Sequence, residues 1–371
     1  MQRKEKNEVR SRKLSADFDW LIIRVERSLG FNLTPIVIKQ RLTLNDLWGR
    51  VLAVDGNNML YQFLALIRMR DGKPFTDSAG HVTSHLIGLV FRTTRLIAEF
   101  DIRPVFVFDG KPPVEKIRTL KERYSARAQA RKDWELAVGR GDYADAWSKA
   151  VRMNSLTQEM KEDAKRALSL LGIPIVQAPQ EGEAQAAHMA RRGDVWAVNS
   201  RDYDSVLFGA PRLIRYLTIS GQEYLPSKVV SRPLIPELID LQKMLTELRI
   251  TLDQLIDLAI LVGTDFNDGI RGIGPKTALK LLQKHHALEN LPTEIKEKLP
   301  KNCERLRTLF SHPDVTNEYD LRFTTTDEEG LVKFLCGERG FAADKVNLVL
   351  QRMQVFKARE SSKLSSWFSP G

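Results

Sequence analysis

Cysteine is nearly absent: Cys303 and Cys336 are the only two in 371 residues. Two cysteines are too few for a disulfide framework or a cysteine-based zinc site. Long hydrophobic runs are missing too. The longest, Leu255 to Gly263, is interrupted by Asp257, and it falls well short of the roughly 18 residues of a membrane span. Near the charged N-terminus the apolar patch Trp20 to Ile23 is too short for the core of a signal peptide. Glycine and proline number 22 and 16, ordinary values that exclude fibrous and low-complexity classes. No internal repeat or linker divides the chain. What is present is 43% hydrophobic residues, enough for one large buried core or two ordinary ones. The chain reads as a soluble protein.

Basic residues are in surplus, with 57 Lys and Arg against 47 Asp and Glu and a net charge of +10. Such a balance favours a polyanionic partner, nucleic acid before membrane. The surplus is local. Residues 111–133 hold eight basic and three acidic side chains, half of the net charge. At about 100° per residue, Lys116, Arg123, Arg127 and Arg131 share one narrow helical face. A solvated helix face is the ordinary explanation for such a run; its neighbour in sequence argues for more.

That neighbour is PVFVFD, Pro104 to Asp109, a β-branched and aromatic run ending in an acid and followed by Gly110. Val51 to Asp55, VLAVD, has the same form, and VWAVNSRDYD, Val195 to Asp204, is a third. Buried strands alternating with helical stretches predict an α/β fold with a mostly parallel sheet. The functional crevice of such a sheet lies beyond the carboxyl ends of its strands, where Asp55, Asp109, Asp202 and Asp204 would all arrive. Residues 116–162 carry no proline and no strand signal, which reads as a helical insertion between two strands. After Pro226 the chain reads as mainly helical, from Glu237 through Asp265 and on into the helix after GIRGIGP.

Three more acids have similar placement. Glu181 and Glu183 open an Ala-rich helix, and Asp265 ends the apolar run LAILVGTD. Each alone passes for a helix-end residue. Seven carboxylates in one crevice would repel one another and raise each other's pKa, so a fold keeps them together chiefly around cations. Oxygen-only donors point to hard divalent ions, Mg²⁺ or Mn²⁺, and away from zinc. Two such ions about 4 Å apart suit phosphodiester hydrolysis. Two divalent ions together with Lys116 and Arg123 bring the acids close to neutrality, so the basic helix face belongs with the site. His188, on the Ala-rich helix, reads as a packed or surface histidine.

With these motifs in hand, VLAVDGNNMLYQFL, VFVFDGKPP, QEGEAQAAHMA, DYDSVLFG and LVGTDFNDGIRGIGPKTA resemble the flap endonucleases. These are structure-specific 5′ nucleases related to the xeroderma pigmentosum G nuclease, and the archaeal members are the most similar. The resemblance runs from Gly30 to Phe368. It implies a PIN-like 5′ nuclease fold with flanking helices, a helical arch insertion and a helix–turn–helix DNA-binding region. It implies Mg²⁺-dependent cutting at the single-strand/double-strand junction of DNA bearing a 5′ flap, with possible 5′–3′ exonuclease activity, in Okazaki-fragment maturation and DNA repair. Asp55, Asp109, Glu181 and Glu183 would surround a first metal, and Asp202, Asp204 and Asp265 a second. Lys116 and Arg123 would contact the scissile phosphate, and Tyr61 would stack on a nucleotide.

The rest of the arch, to about residue 157, would pass a free 5′ strand, with Arg127 and Arg131 tracking its phosphates. Gly269 to Ala278 would grip duplex phosphates through Gly272, Gly274, Lys276 and Thr277, with a K⁺ ion bound there. In the tail, Leu364, Trp367 and Phe368 resemble a box that binds the sliding clamp (PCNA), with Ser361 replacing the family's usual Gln. Arg201, beside Asp202, is expected to point outward. The expected organisation is an extension over 1–29, a nuclease domain over 30–356 and a flexible tail over 357–371. Within that domain the N-terminal nuclease region covers 30–128, the arch about 111–157 and the internal region about 158–290, with the DNA grip at 266–285. A cytoplasmic, nucleoid-associated monomer without membrane contact is the expected state.

Residues 1–28 have no counterpart in the resemblance. Family members begin Met-Gly, and an ungapped alignment back from Asp55 puts that glycine at Gly30, preceded by Leu29. A TTG codon encodes leucine internally but can initiate with methionine, so translation is expected to start at Leu29. The competing reading is an amphipathic helix carrying Leu14, Phe18, Leu21, Val25 and Leu29. N-terminal sequencing of the native protein decides: methionine followed by Gly30 is expected, and a chain beginning at Met1 refutes the internal start.

Overall fold

The computed structural model describes residues 31–69, 73–140, 149, 155–217, 222–225, 230–233 and 235–368. The expected extension, Gly30 and the arch segment 141–148 lie outside these residues. Strands β1 (Gln40–Arg41), β2 (Val51–Asp55), β3 (Arg103–Phe108), β4 (Ile175–Gln177), β5 (Ala197–Asn199), β6 (Arg212–Arg215) and β9 (Glu237–Asp240) form one sheet in the order β1-β9-β6-β5-β2-β3-β4. Five of them, β6-β5-β2-β3-β4, run parallel. The edge pair β9 and β1 joins antiparallel to β6. Strands β7 (Gln222–Leu225) and β8 (Val230–Pro233) make a separate antiparallel ribbon.

The sheet is covered on both faces, which is why its strands read as continuous apolar runs. Successive side chains of β3 alternate: Val105 and Val107 enter one core, Phe106 and Phe108 the other. Helices α1 (Gly56–Leu66), α2 (Ser84–Phe100) and α4 (Gln158–Leu170) pack on the Phe106 side. On the opposite side lie α5 (Gly182–Arg192), the short α6 (Asp204–Leu207) and α8 (Leu252–Val262). Ala184, Ala186, Ala187 and Ala190 of α5 are buried, and their small side chains let the helix lie close to the strands. Helix α3 (Ile117–Gly139), where the base of the arch is expected, is inserted between β3 and α4. The mostly parallel sheet and flanking helices agree with the fold expected above. Among the described residues no helix is long and apolar enough to cross a membrane.

Two expectations need correction. Glu237 to Asp240 is the antiparallel strand β9, not the start of a helix; Ile239 is buried against the core. Only after Asp240, whose side chain accepts from the Lys243 N–H at 2.9 Å, does α7 (Leu241–Leu248) begin. Four residues are too few for the pattern to separate strand from helix. The tail is also not free from residue 357. The C-terminal helix, labelled α13, runs Ala343–Phe368; between α8 and α13 lie α9 (Pro275–His285), α10 (Thr293–Lys296), α11 (Cys303–Ser311) and α12 (Glu328–Val332). Val346, Val349, Met353 and Phe356 of α13 are buried in the core on the α2 side. Arg359 donates to the Ala98 carbonyl at 2.7 Å and to Asp101 at 3.2 Å, and Glu360 is ion-paired to Arg103 at 2.5 Å. Asp101 is fully buried, so its charge requires such a partner. The side chains of Leu364, Trp367 and Phe368 lie outside the described residues.

Removal of residues 357–371 is expected to cost about 2–4 kcal/mol in chemical denaturation, because it leaves a buried carboxylate short of its partner. An unanchored tail would cost nothing measurable.

Candidate active site

The strand order reverses around β2, since β3 and β4 lie on one side of it and β5 and β6 on the other. Chain crevices form at such a switch point, beyond the carboxyl ends. Asp55 is the last residue of β2, Asp109 follows β3, and Asp202 and Asp204 follow β5 in the turn that opens α6. Helix α5 begins at the same edge with Glu181 at its N-cap and Glu183 in its first turn. Asp265 arrives from the far side, in the turn between β10 (Gly263–Thr264) and β11 (Asn267–Asp268). Gly263 has φ +105°, and a side chain on Gly269 would strike the Val262 carbonyl at 1.8 Å, so this turn closes only with glycine at both positions.

Local hydrogen bonds orient the acids. Asp55 caps α1 by accepting from the Asn58 N–H at 2.9 Å. Its other oxygen accepts from Ser200 at 3.3 Å. The Gly182 N–H donates to Asp109 at 2.7 Å, and a Cβ at Gly182 would press on that carboxylate at 2.8 Å. Asn57 also donates to Asp109. The Asn58 amide donates to Asp202 at 2.7 Å, and its Oδ1 accepts from Gln62 at 2.8 Å. Asp204 accepts from the Phe31 N–H at 3.3 Å. Asn57, Asn58 and Ser200 were missed as site residues. The available signal was two consecutive amides one residue beyond the strand-ending acid, in the first turn of the helix.

Two cations of the arch base enter the same crevice. Lys116, in the turn Val114–Lys116, is ion-paired to Glu181 and lies 3.7 Å from Asp265. Arg123, two turns into α3, donates to Asp265 at 2.5 Å. Glu181 therefore makes no capping hydrogen bond, and Asp265 serves the site instead of ending a helix. Burial works to lower the Lys116 pKa, but the combined pull of Glu181, Asp265 and Asp109 outweighs it and keeps the ammonium charged. Arg127 lies over the Tyr61 ring, 5.5 Å from its centre, and donates to its hydroxyl at 3.1 Å. Arg131, the fourth residue of the basic face, is exposed and 3.8 Å from Glu135.

The acids remain short of positive charge. Burial, with Asp109 as a near neighbour, pushes the Asp55 carboxyl up to about 8. Asp202 rises to about 6 from burial and the charge of Asp265. Glu183 and Asp204 are raised well above the ordinary range by burial and by the other carboxylates. Glu183 Oε1 is buried with no hydrogen-bond partner. Among the described residues no three acids close into a cage around a single point; they line a crevice that Lys116 and Arg123 partly neutralise. Hard oxygen donors, one of them unpartnered, in a cluster that resists full ionisation fit divalent cations.

Other expected residues fall outside this crevice. The Arg201 guanidinium lies against Tyr216, 5.8 Å from the ring centre, yet its charge still favours ionised Asp202. His188 is bonded to Asn317 at 2.8 Å on the surface. Gly272 and Gly274 stand in open space, Gly274 as the N-cap of α9 with Pro275 at its first position, and Lys276 and Thr277 are exposed beside them. That end of α9 faces solvent with its backbone N–H groups free of any side-chain cap.

Residues 27–130 match the XPG N-terminal domain and residues 172–265 the XPG I-region. Flap endonuclease 1 of Methanosarcina barkeri is 46% identical over 344 residues, covering 92% of this chain and all of that protein. The chain belongs to the flap endonuclease 1 family. The Pyrococcus horikoshii member is 45% identical over 92% of this chain and 98% of its own. The solved flap endonuclease-1 from Methanococcus jannaschii superposes with a TM-score of 0.71 at 40% identity, covering 89% of this chain and all of the other. The catalytic core of Rad2, at 22% identity and a TM-score of 0.63, shares the fold.

The raised carboxyls set the pH response of the metal-free protein. The folded chain holds protons that the unfolded chain releases at ordinary values, so this stabilising contribution is complete only below the unfolded pKa. Thermal melts in chelator are expected to show stability falling as pH rises from about 6.5 to about 8, the part of the Asp55 interval above the range where buried His85, lowered to about 4, acts in the opposite sense. Mg²⁺ is expected to flatten the slope by holding the acids ionised. A slope of the opposite sign would show that the acids are not crowded.

Proposed function

We propose that this crevice hydrolyses a phosphodiester of branched DNA at the junction between a 5′ single strand and duplex, by two-metal-ion catalysis. Family membership makes the chain a structure-specific 5′ flap nuclease. The observation that carries the catalytic reading is that acids from five separate segments meet at the switch-point edge, where Lys116 and Arg123 pair with two of them, Glu181 and Asp265. Asp55, Asp109, Glu181 and Glu183 would hold one divalent ion and Asp202, Asp204 and Asp265 the other. Bound there, magnesium, or manganese as the alternative, would supply an activated water and would stabilise the attacking and leaving oxygens.

The protein's own residues do the rest. Asn57, Asn58, Ser200 and the Gly182 N–H keep the carboxylates aimed into the crevice. Lys116 and Arg123 exchange their carboxylate partners for the scissile phosphate and offset the charge that grows on it. Tyr61 offers its ring to a base once Arg127 turns to a phosphate of the strand. The exposed N-terminus of α9, with Gly272, Gly274, Lys276 and Thr277, takes a duplex phosphate away from the cut; a K⁺ ion there rests on the resemblance alone. Binding of the sliding clamp through Leu364, Trp367 and Phe368, and the roles in Okazaki-fragment maturation and DNA repair, rest on sequence in the same way.

The test is cleavage of a double-flap DNA with and without Mg²⁺. Asp204→Ala is expected to lower the single-turnover rate by about a thousandfold or more while leaving junction affinity nearly unchanged. Near-normal cleavage by that variant would overturn the assignment. Blocking the 5′ end is expected to stop cleavage, as passage through the arch requires.

A further inference from the structure

Beside Lys116, one position earlier in the same turn, stands Glu115, whose side chain is only 9% exposed. Its Oε1 accepts from Nε of Arg305 at 3.0 Å, and its Oε2 is buried without a partner. Arg305 itself is 64% exposed and projects from α11. That helix is firmly seated. Leu306 and Phe310 are fully buried, and Arg307 grips buried Asp257 of α8 at 2.6 and 2.8 Å. Phe310 packs edge-on against Phe266, ring centres 5.4 Å apart, and Phe266 lies beneath the Lys116 ammonium at 5.7 Å. Between Glu181 and α11 is a cavity of about 180 Å³ lined in part by Gln180, Arg305 and Thr308. The Glu115–Arg305 ion pair joins the turn to α11 beside this cavity.

We infer that Arg305 is a positioning residue for Lys116, acting through Glu115. The inference rests on the catalytic reading of Lys116 above and deepens it. The two partners of the ion pair are unequally placed. Arg305, mostly in water, tolerates loss of its partner; Glu115, nearly buried and with one oxygen already unpaired, does not. Without Arg305 the carboxylate must reach solvent, and the single turn that holds it also holds Lys116. The turn moves outward and withdraws the ammonium from the scissile phosphate, leaving the DNA-contacting surfaces in place.

The experiment is a set of variants in the full-length protein, read by single-turnover cleavage of a 5′ flap DNA in Mg²⁺ and by its dissociation constant in Ca²⁺. Arg305→Gln is expected to slow cleavage roughly ten- to hundredfold, the scale of a small misplacement of a catalytic group. Its dissociation constant should stay within about twofold, and so should both measurements for Glu115→Gln. The double variant should recover most of the lost rate, since no charge is then buried unpaired. In a Lys116→Ala background Arg305→Gln should have no further effect. Three results would overturn the inference: an unchanged rate in Arg305→Gln, a weakened affinity that Glu115→Gln does not relieve, or an undiminished loss in the Lys116→Ala background. The second would mark Arg305 as a phosphate contact. Failure of the wild-type chain to cut the flap would sink the functional reading and this one together; wild-type cutting with an insensitive Arg305 sinks only the pair.

Discussion

Like charges held together against their repulsion are the constraint around which this molecule is arranged. Parallel strands deliver acids to one edge because strand ends are where a covered sheet first meets solvent. Bringing Asp55, Asp202, Asp204 and Glu183 into a half-buried crevice raises their proton affinity and leaves Glu183 with a bare oxygen. Amides and N–H groups from the first turns of α1 and α5 orient the acids without neutralising them. Neutralisation comes from the arch base, where Lys116 and Arg123 reach the two acids that face it.

Those two cations tie the arch to the site. Arg118 is ion-paired to Asp268 and Thr119 donates to the Asp265 carbonyl at 2.7 Å, so the first turn of α3 is joined to the β10–β11 turn as well. That turn leads within a few residues to the glycine-flanked start of α9. The base of the segment expected to hold a single strand is thus bonded to the turn that precedes the segment expected to hold duplex. The base of the arch is a junction of three parts, held mainly by ion pairs, and such contacts are exchangeable when a polyanion arrives.

The C-terminal helix shows the same dependence on buried charge away from the site. Asp101 is fully buried at the end of α2, in the left-handed conformation, and its charge is met by Arg359 and Arg103. The tail expected over 357–371 begins inside this helix. The partner that anchors it is more than 250 positions away, too far for any local pattern to reveal.

Much was legible in the sequence because local chemistry speaks there. VLAVD and VFVFD are buried strands by composition and end in acids, and β2 matches the expected bounds while β3 is shifted by one residue. The seven carboxylates and the basic face of α3 could be named from spacing and motif. Short elements could not: β9 and β1 owe their strand character to pairing with β6 and with each other, since a few residues carry no decisive period. Nor could the sequence say that Arg127 would cover Tyr61, that Asn57 and Asn58 would hold the acids, or that Glu115 would pair with Arg305. Period and composition act over one or two turns, so they determine which residues arrive at an edge. Which charges then become partners depends on distance and burial across the packed layers, and only the tertiary structure decides that.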